Sequence, residues 1–572
     1  MNKREFLQLL AAASVSGCAL NDKRALAGDG GESLYDVPRF GNVHFLHFTD
    51  CHAQLKPIYF REPSVNIGLG GALNKPPHLV GEHFLREFNI AGGSHAAHAF
   101  THLDFAQAAK RYGKVGGFAH LATLIKRMKA SRPGALLLDG GDTWQGSGTA
   151  LWTNGQDMVD ACLALDVDVM TGHWEFTLGA ARVQEVIEKD FKGKVDFIAQ
   201  NVKTTDFGDD VFPAYTMKDM NGVRVGIIGQ AFPYTPIANP RYMVPEWSFG
   251  IRDEAMQKVI DEVRAKGAQV VVLLSHNGMD VDLKLATRVR GLDAILGGHT
   301  HDGVPNAQPV KNAGGITLVT NAGSNSKYLG VLDFDVKQGK IAGVQYKLLP
   351  VFSNLLPADP QMEALINKVR SPYEAKLAEP LAVSEGLLYR RGNFNGTFDQ
   401  LILDALLAEK NAEIAFSPGF RWGTSILPGQ TITREHVMDQ TAISYPFTTV
   451  SNVSGAQVKI ILEDIADNLF NPDPYYQQGG DMVRVGGMSY ALNPSAGAGN
   501  RISELRIGNI LMSADKSYKL AGWAPVSEES KTAGGEPIWD LLERYIKAKR
   551  TIAPLTPALP TLSLPGNNGI AV

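Results

Sequence analysis

Eight short apolar, β-rich runs between residues 41 and 350 alternate with helical stretches, and five of them stop at a small polar cluster. The runs cover 43–48, 135–138, 166–170, 195–199, 223–228, 269–274, 293–296 and 316–320, and 3.6-residue periodicity appears at 118–130, 181–189 and 253–266. This alternation predicts an α/β fold. The clusters are Asp50-Cys51-His52, Gly141-Asp142, Gly172-His173-Trp174-Glu175, Ser275-His276-Asn277 and Gly298-His299-Thr300-His301. Sites in such folds gather outside the carboxyl ends of the strands. Side chains more than two hundred residues apart can therefore meet in one crevice.

The clusters supply two carboxylates, Asp50 and Asp142, and five imidazoles, His52, His173, His276, His299 and His301. Oxygen and nitrogen donors of this kind suit Mn, Fe, Zn or Ni and do not choose among them. Asp142 can serve two cations, one through each oxygen, and Gly140 and Gly141 let the backbone turn tightly beneath it. Alternate side chains of an extended segment share a face, so Asp50 and His52 are expected on one side of such a segment, and His299 and His301 likewise. A lone Asp-x-His or His-x-His is more often structural. Five clusters in this order, each after a strand-like run, point instead to a dinuclear metal site, which can clamp the attacking and leaving atoms of a hydrolysis.

At 572 residues the chain is too long for one ordinary core, so two domains are expected. A formal charge of −4 offers no electrostatic case for nucleic acid or anionic membrane. Three cysteines make no disulfide framework, and Cys51 and Cys162 read as packed side chains. Residues 1–27 read as a secretory signal: Lys3-Arg4-Glu5-Phe6-Leu7 is similar to a twin-arginine start, and Ala25-Leu26-Ala27 suits cleavage. A lipoprotein box ending at Cys18 is the competing processing site. No later segment reaches 18 uninterrupted apolar residues, so an exported, periplasmic protein without a membrane span is expected. The first domain is placed at 41–350, with an insert at 61–114 rich in Gly, Pro and His. A connector with a helix over 360–377 occupies 351–380, and a second domain 381–560 contains Arg421 between Phe420 and Trp422 and a strand-like 445–450. The Pro/Gly-rich stretch from 552, with 561–572 as the tail proper, is expected to lie extended over the surface or to be disordered.

With these motifs in hand, the chain resembles the calcineurin-like dimetal phosphoesterases in their two-domain 5′-nucleotidase branch. That resemblance implies a four-layer α/β domain, helices flanking a β-sandwich, followed by a 5′-nucleotidase-type α/β domain. It puts Asp50, His52, Asp142 and His301 on one metal, and Asp142, His173, His276 and His299 on the other. The third cluster departs from the nucleotidase pattern Asn-His-Glu-Phe-Asp, reading His173-Trp174-Glu175-Phe176-Thr177. Trp174 replaces the His that assists at the transferring phosphoryl group, and Thr177 replaces its Asp partner; tryptophan cannot accept a proton. The altered motif resembles the SoxB thiosulfohydrolase family of bacterial sulfur oxidation. It implies two Mn²⁺ ions and hydrolysis of a cysteine S-thiosulfonate on the carrier SoxYZ, with release of sulfate; a periplasmic 5′-nucleotidase is the alternative. Trp174, lining a narrow channel, and Arg421, as the cation facing the sulfonate, are the expected catalytic contributors. Glu175 is expected to brace its loop rather than act as a base. A monomer is expected.

Overall fold

The computed structural model describes residues 31–527, 535–562 and 564–571. The leader at 1–27, with Cys18, lies outside the described residues. Two six-stranded sheets face each other in the first domain. The first runs, in spatial order, Lys340–Pro350, Tyr328–Lys337, Val43–Phe48, Leu136–Asp139, Val169–Met170 and Asp196–Phe197. The second runs Gln308–Asn312, Gly315–Asn321, Ala294–Gly297, Val270–Ser275, Val223–Gln230 and Tyr215–Met220. Every residue of Val43–Phe48 and Val270–Ser275 is buried, which is why these strands read as unbroken apolar runs.

Phe45, Leu138 and Val169 from one sheet meet Val225, Val272 and Leu296 from the other in a shared core. Helices Phe118–Ser131, Gln156–Ala164 and Pro360–Arg370 cover the outside of the first sheet, and Asp253–Ala265 and Met279–Arg288 cover the second. The result is the four-layer α/β arrangement. Val43–Phe48, Leu136–Asp139 and Val169–Met170 are mutually parallel, as are Val223–Gln230, Val270–Ser275 and Ala294–Gly297. Their carboxyl ends deliver all five polar clusters to one crevice.

The second domain packs Thr397–Lys410, Gly455–Phe470 and Ile538–Lys549 around a sheet ordered Thr448–Ser454, Ser517–Trp523, Ile414–Ser417, Arg484–Gly486. Three local expectations change. The connector helix divides into Pro360–Arg370 and Glu374–Leu377, because Pro372 has no N–H to continue the ladder, although Ser371 before it keeps helical angles. The strand expected at 445–450 begins only at Thr448, after Pro446, and Tyr445 lies in a loop. The stretch after 552 is extended, but it is also docked. Thr561–Leu562 pairs with Ser489–Leu492, the Asn66 N–H donates to the Gly569 carbonyl (2.7 Å), and Ile570 bridges Val65.

The insert itself carries helices Gly81–Glu87, His95–Phe100 and Phe105–Tyr112 over an apolar patch shared with Tyr328, Leu348 and Phe352, and His95 and His98 pack against Phe352. Among the described residues no helix is long and apolar enough to cross a membrane.

Candidate metal centre

All seven donors named from the sequence converge, and all are buried. They form two groups sharing Asp142: Asp50, His52, Asp142 and His301, and Asp142, His173, His276 and His299. In each group one donor atom per residue lies within 4.8 Å of the others. Asp142 Oδ2 stands 3.0 Å from His276 Nε2 and 3.7 Å from His52 Nε2, so the carboxylate faces both groups. Asp50 Oδ1 is 3.2 Å from His301 Nε2, and His52 Nε2 is 3.1 Å from His301 Nε2.

The backbone reaches this geometry differently from the sequence expectation. Asp50 and His52 do not share the face of an extended segment: their φ angles are +52° and +45°. His299 (+71°), His301 (+59°) and Asp142 (+59°) are also left-handed. The strands have already ended, and the chain must curl over their carboxyl edge to turn each donor inward. Such conformations cost about 1–3 kcal/mol each and cluster at functional sites. The loops are braced by hydrogen bonds. The carboxylate of Glu175 accepts the N–H groups of His173 (2.8 Å), Thr143 (2.6 Å), Asp142 (3.2 Å) and Trp144 (3.3 Å), and so ties two ligand loops together. It touches no cleft group as a base would. Asp50 accepts the His299 N–H, at 3.0 Å to Oδ2.

The donor set fits two cations. His299 donates Nε2–H to the Gln478 carbonyl (2.9 Å), leaving Nδ1 without a partner; His276 donates Nδ1–H to the Gly140 carbonyl (2.7 Å), leaving Nε2 toward Asp142. Outer hydrogen bonds of this kind select the ligating tautomer. Burial, then the charge of Arg421, holds His299 and His301 well below the ordinary imidazole range, and burial pushes His52 down to about 3. These imidazoles are neutral lone-pair donors. His276 goes the other way: burial would lower it, but Asp142 and Asp50 overcome that and push it up to about 10. The carboxylates thus draw positive charge to the place where His276 and Asp142 could grip a cation.

The cleft above the donors encloses about 170 Å³ and is lined by both domains. Trp174 forms one wall, with Phe420 and Trp422 edge-on at 5.3 and 5.0 Å and Tyr445 parallel at 6.0 Å. Trp422 stacks on His52 at 4.6 Å. The Thr177 hydroxyl donates to the Trp174 carbonyl (2.7 Å), so it is spent on its own turn. Arg421, buried, donates Nη2–H to the His299 carbonyl, and its Nε has no protein partner. Trp144 points away into the core against Phe191, and Gln145 bonds the Ala442 carbonyl of the second domain.

Sequence reasoning missed Asn239, whose Oδ1 is 3.2 Å from His173 Nε2, and the Gln478 carbonyl on His299. It also missed Arg391, which donates Nη2–H to the His301 carbonyl (3.0 Å). The Arg390-Arg391 doublet and the Gly479-Gly480 doublet were the available signals; Asn239 carried none.

Comparison with known proteins agrees with this geometry. Residues 382–528 match the family described as 5′-nucleotidase, C-terminal domain. Bovine 5′-nucleotidase is 24% identical over 497 residues, covering 79% of this chain and 83% of the relative. The 5′-nucleotidase precursor of Thermus thermophilus shares the fold, with a TM-score of 0.71 at 22% identity over 91% of this chain and 99% of that one. The Thermus thermophilus sulfate thiohydrolase SoxB, solved in complex with glycerol, superposes with a TM-score of 0.86 at 36% identity, covering 92% of this chain and 98% of that one. These relatives are hydrolases, and a hydrolytic reaction is what they support here. Over nearly its whole length, and with its nucleotidase-type second domain, the chain belongs to the SoxB family within the two-domain 5′-nucleotidase branch.

Proposed function

We propose that this protein is a periplasmic thiosulfohydrolase that cleaves the terminal sulfonate of a cysteine S-thiosulfonate carried by SoxYZ, releasing sulfate, with a dinuclear manganese centre. The observation that carries the reading is the wall at Trp174 and Thr177. Where a nucleotidase keeps a proton-handling His-Asp pair, this cleft presents an indole packed among aromatic rings and a hydroxyl bonded to its own turn.

When bound, two divalent cations would activate a water and neutralise the charge of the sulfonate oxygens. Asp142 stands between the two donor groups, held by the Trp174 N–H on Oδ1 (2.7 Å). Arg421 offers a guanidinium beside His299, suited to an array of oxyanion acceptors. An alcohol leaving group needs help with its proton, whereas breaking the S–SO₃ bond of the proposed substrate expels a persulfide anion, a better leaving group still than an ordinary cysteine thiolate of pKa about 8.5. The missing dyad is therefore tolerable for a sulfur leaving group and costly for a nucleoside.

The test is to offer the purified, manganese-loaded protein a SoxYZ carrier bearing Cys-S-thiosulfonate and to measure sulfate. Release of sulfate is expected, with little hydrolysis of AMP. The rival, a periplasmic nucleotidase, draws on the match of residues 382–528; rapid AMP turnover with no sulfate release would establish it instead.

A further inference from the structure

We infer that Asn239 and Tyr445 form a positioning relay that sets the tautomer of His173, so that the second domain takes part in building the metal centre. His173 Nδ1 lies 3.1 Å from Asp142 Oδ1 and 3.2 Å from Oδ2. Its other nitrogen, Nε2, is 3.2 Å from Asn239 Oδ1, and Asn239 Nδ2 is 3.1 Å from the Tyr445 hydroxyl.

A neutral imidazole carries one N–H. For Nδ1 to offer a lone pair to a cation shared with Asp142, Nε2 must carry the hydrogen, and its neighbour must accept. An amide can present either its oxygen or its NH₂. The need for a lone pair at Nδ1 selects the orientation with Oδ1 toward His173; Nδ2 then donates to the Tyr445 hydroxyl, which can accept. The chain of donation runs from His173 to Asn239 to Tyr445. All three side chains are buried, at 3%, 3% and 2% exposure, and an unpaired buried donor is costly.

The loop bearing Tyr445 is seated on the two segments that carry the ligands. The Ala442 carbonyl accepts from Gln145 Nε2 (2.8 Å), three residues past Asp142. The Ser444 hydroxyl donates to the Thr177 carbonyl (2.7 Å), four residues past His173. The Tyr445 ring lies within 3° of parallel to Trp174. Asn239 is fixed in turn by its backbone N–H on the Thr235 carbonyl (3.0 Å). The relay's hydrogen bonds reach only the donor group containing His173; none joins Asn239 or Tyr445 to Asp50, His52 or His301. It therefore acts first on the cation position that His173 serves, and reaches the other only through the shared Asp142.

This inference rests on reading the donors as a two-cation site and is independent of the substrate. The test is calorimetric titration of the chelator-stripped full-length protein with Mn²⁺. The wild type is expected to take up two equivalents. Asn239→Leu should weaken one position by about 10–100-fold, the usual effect of losing an outer hydrogen bond to a metal-ligating His, and leave the other unchanged. Asn239→Asp keeps an acceptor for the His173 N–H and should bind close to the wild type. Tyr445→Phe keeps the ring and frees the amide to turn over, and should weaken the same single position more than the other. Two wild-type affinities in Asn239→Leu would overturn the relay. Equal weakening at both positions, with a lower metal-free melting temperature, would also overturn it, since that is the signature of a general packing role. A wild-type protein that binds fewer than two equivalents would remove the two-cation reading and the relay together.

Discussion

A methyl group placed on Gly479 probes how the second domain holds His299. Gly479 has φ +69°, and its Cβ would stand 2.5 Å from His299 Nε2 and 2.8 Å from Cδ2. Two costs follow for Gly479→Ala. A left-handed alanine costs about 1–2 kcal/mol. The imidazole must also swing away from the methyl, breaking the Nε2–H bond to the Gln478 carbonyl (2.9 Å), which fixes Nδ1 as the ligating atom. Loss of such a partner lowers metal affinity about 10–100-fold, or roughly 1.4–2.8 kcal/mol. Manganese titration should read the second cost alone, and urea unfolding of the chelated protein the first. The variant is expected to lose affinity at the His299 position while keeping the Asp50–His52–His301 position. Unchanged affinity at both positions would show that the Gly479 loop does not govern His299.

Trp174→His combined with Thr177→Asp restores the proton-handling pair and should confer measurable AMP hydrolysis; no gain would undo the account of why the pair is absent. Removing so large a packed ring is expected to cost some stability, up to the about 3–5 kcal/mol of a Trp truncation to Ala. Burial pushes the Asp157 carboxyl up to about 6, and its Oδ2 has no hydrogen-bond partner. The folded chain thus keeps a proton that the unfolded chain has released, so this contribution is present below about pH 4 and is lost as pH rises through 6. Asp157→Asn should flatten that slope and raise stability at pH 7 by up to about 3 kcal/mol; urea melts at pH 5 and 7 with the wild-type difference intact would refute it. Deleting residues 561–572 strips the insert of the partners at Gly569, Asn568 and Asn567, which bond Asn66, Val80 and Gly68. Limited proteolysis should then cut within 61–80 first, and an insert as resistant as in the full chain would show that the tail does not secure it.

The donors were legible because each lies within about six residues of the end of an apolar run, and the order of those runs is written in the chain. The missing dyad was equally plain, being a matter of residue identity at 174 and 177. The antiparallel strands Tyr328–Lys337 and Lys340–Pro350 went unread, as did Tyr215–Met220, whose mixed burial breaks the apolar pattern. Alternation along an extended segment was the wrong reason for pairing Asp50 with His52, since both residues sit past the strand end in left-handed turns.

The amino-acid order by itself determined which side chains can bind metal and which proton carriers are lacking, because both are properties of single residues beside recognisable strands. Which nitrogen of His173, His276 and His299 faces the centre was decided only by the tertiary structure. That choice depends on the partner of the opposite nitrogen. For His173 the partner is Asn239, 66 residues away and steadied by Tyr445; for His299 it is the Gln478 carbonyl, 179 residues away. No local pattern encodes a contact with a distant loop of the same domain, as at Asn239, or with a loop of the other domain that closes over the strand ends, as at Tyr445 and Gln478.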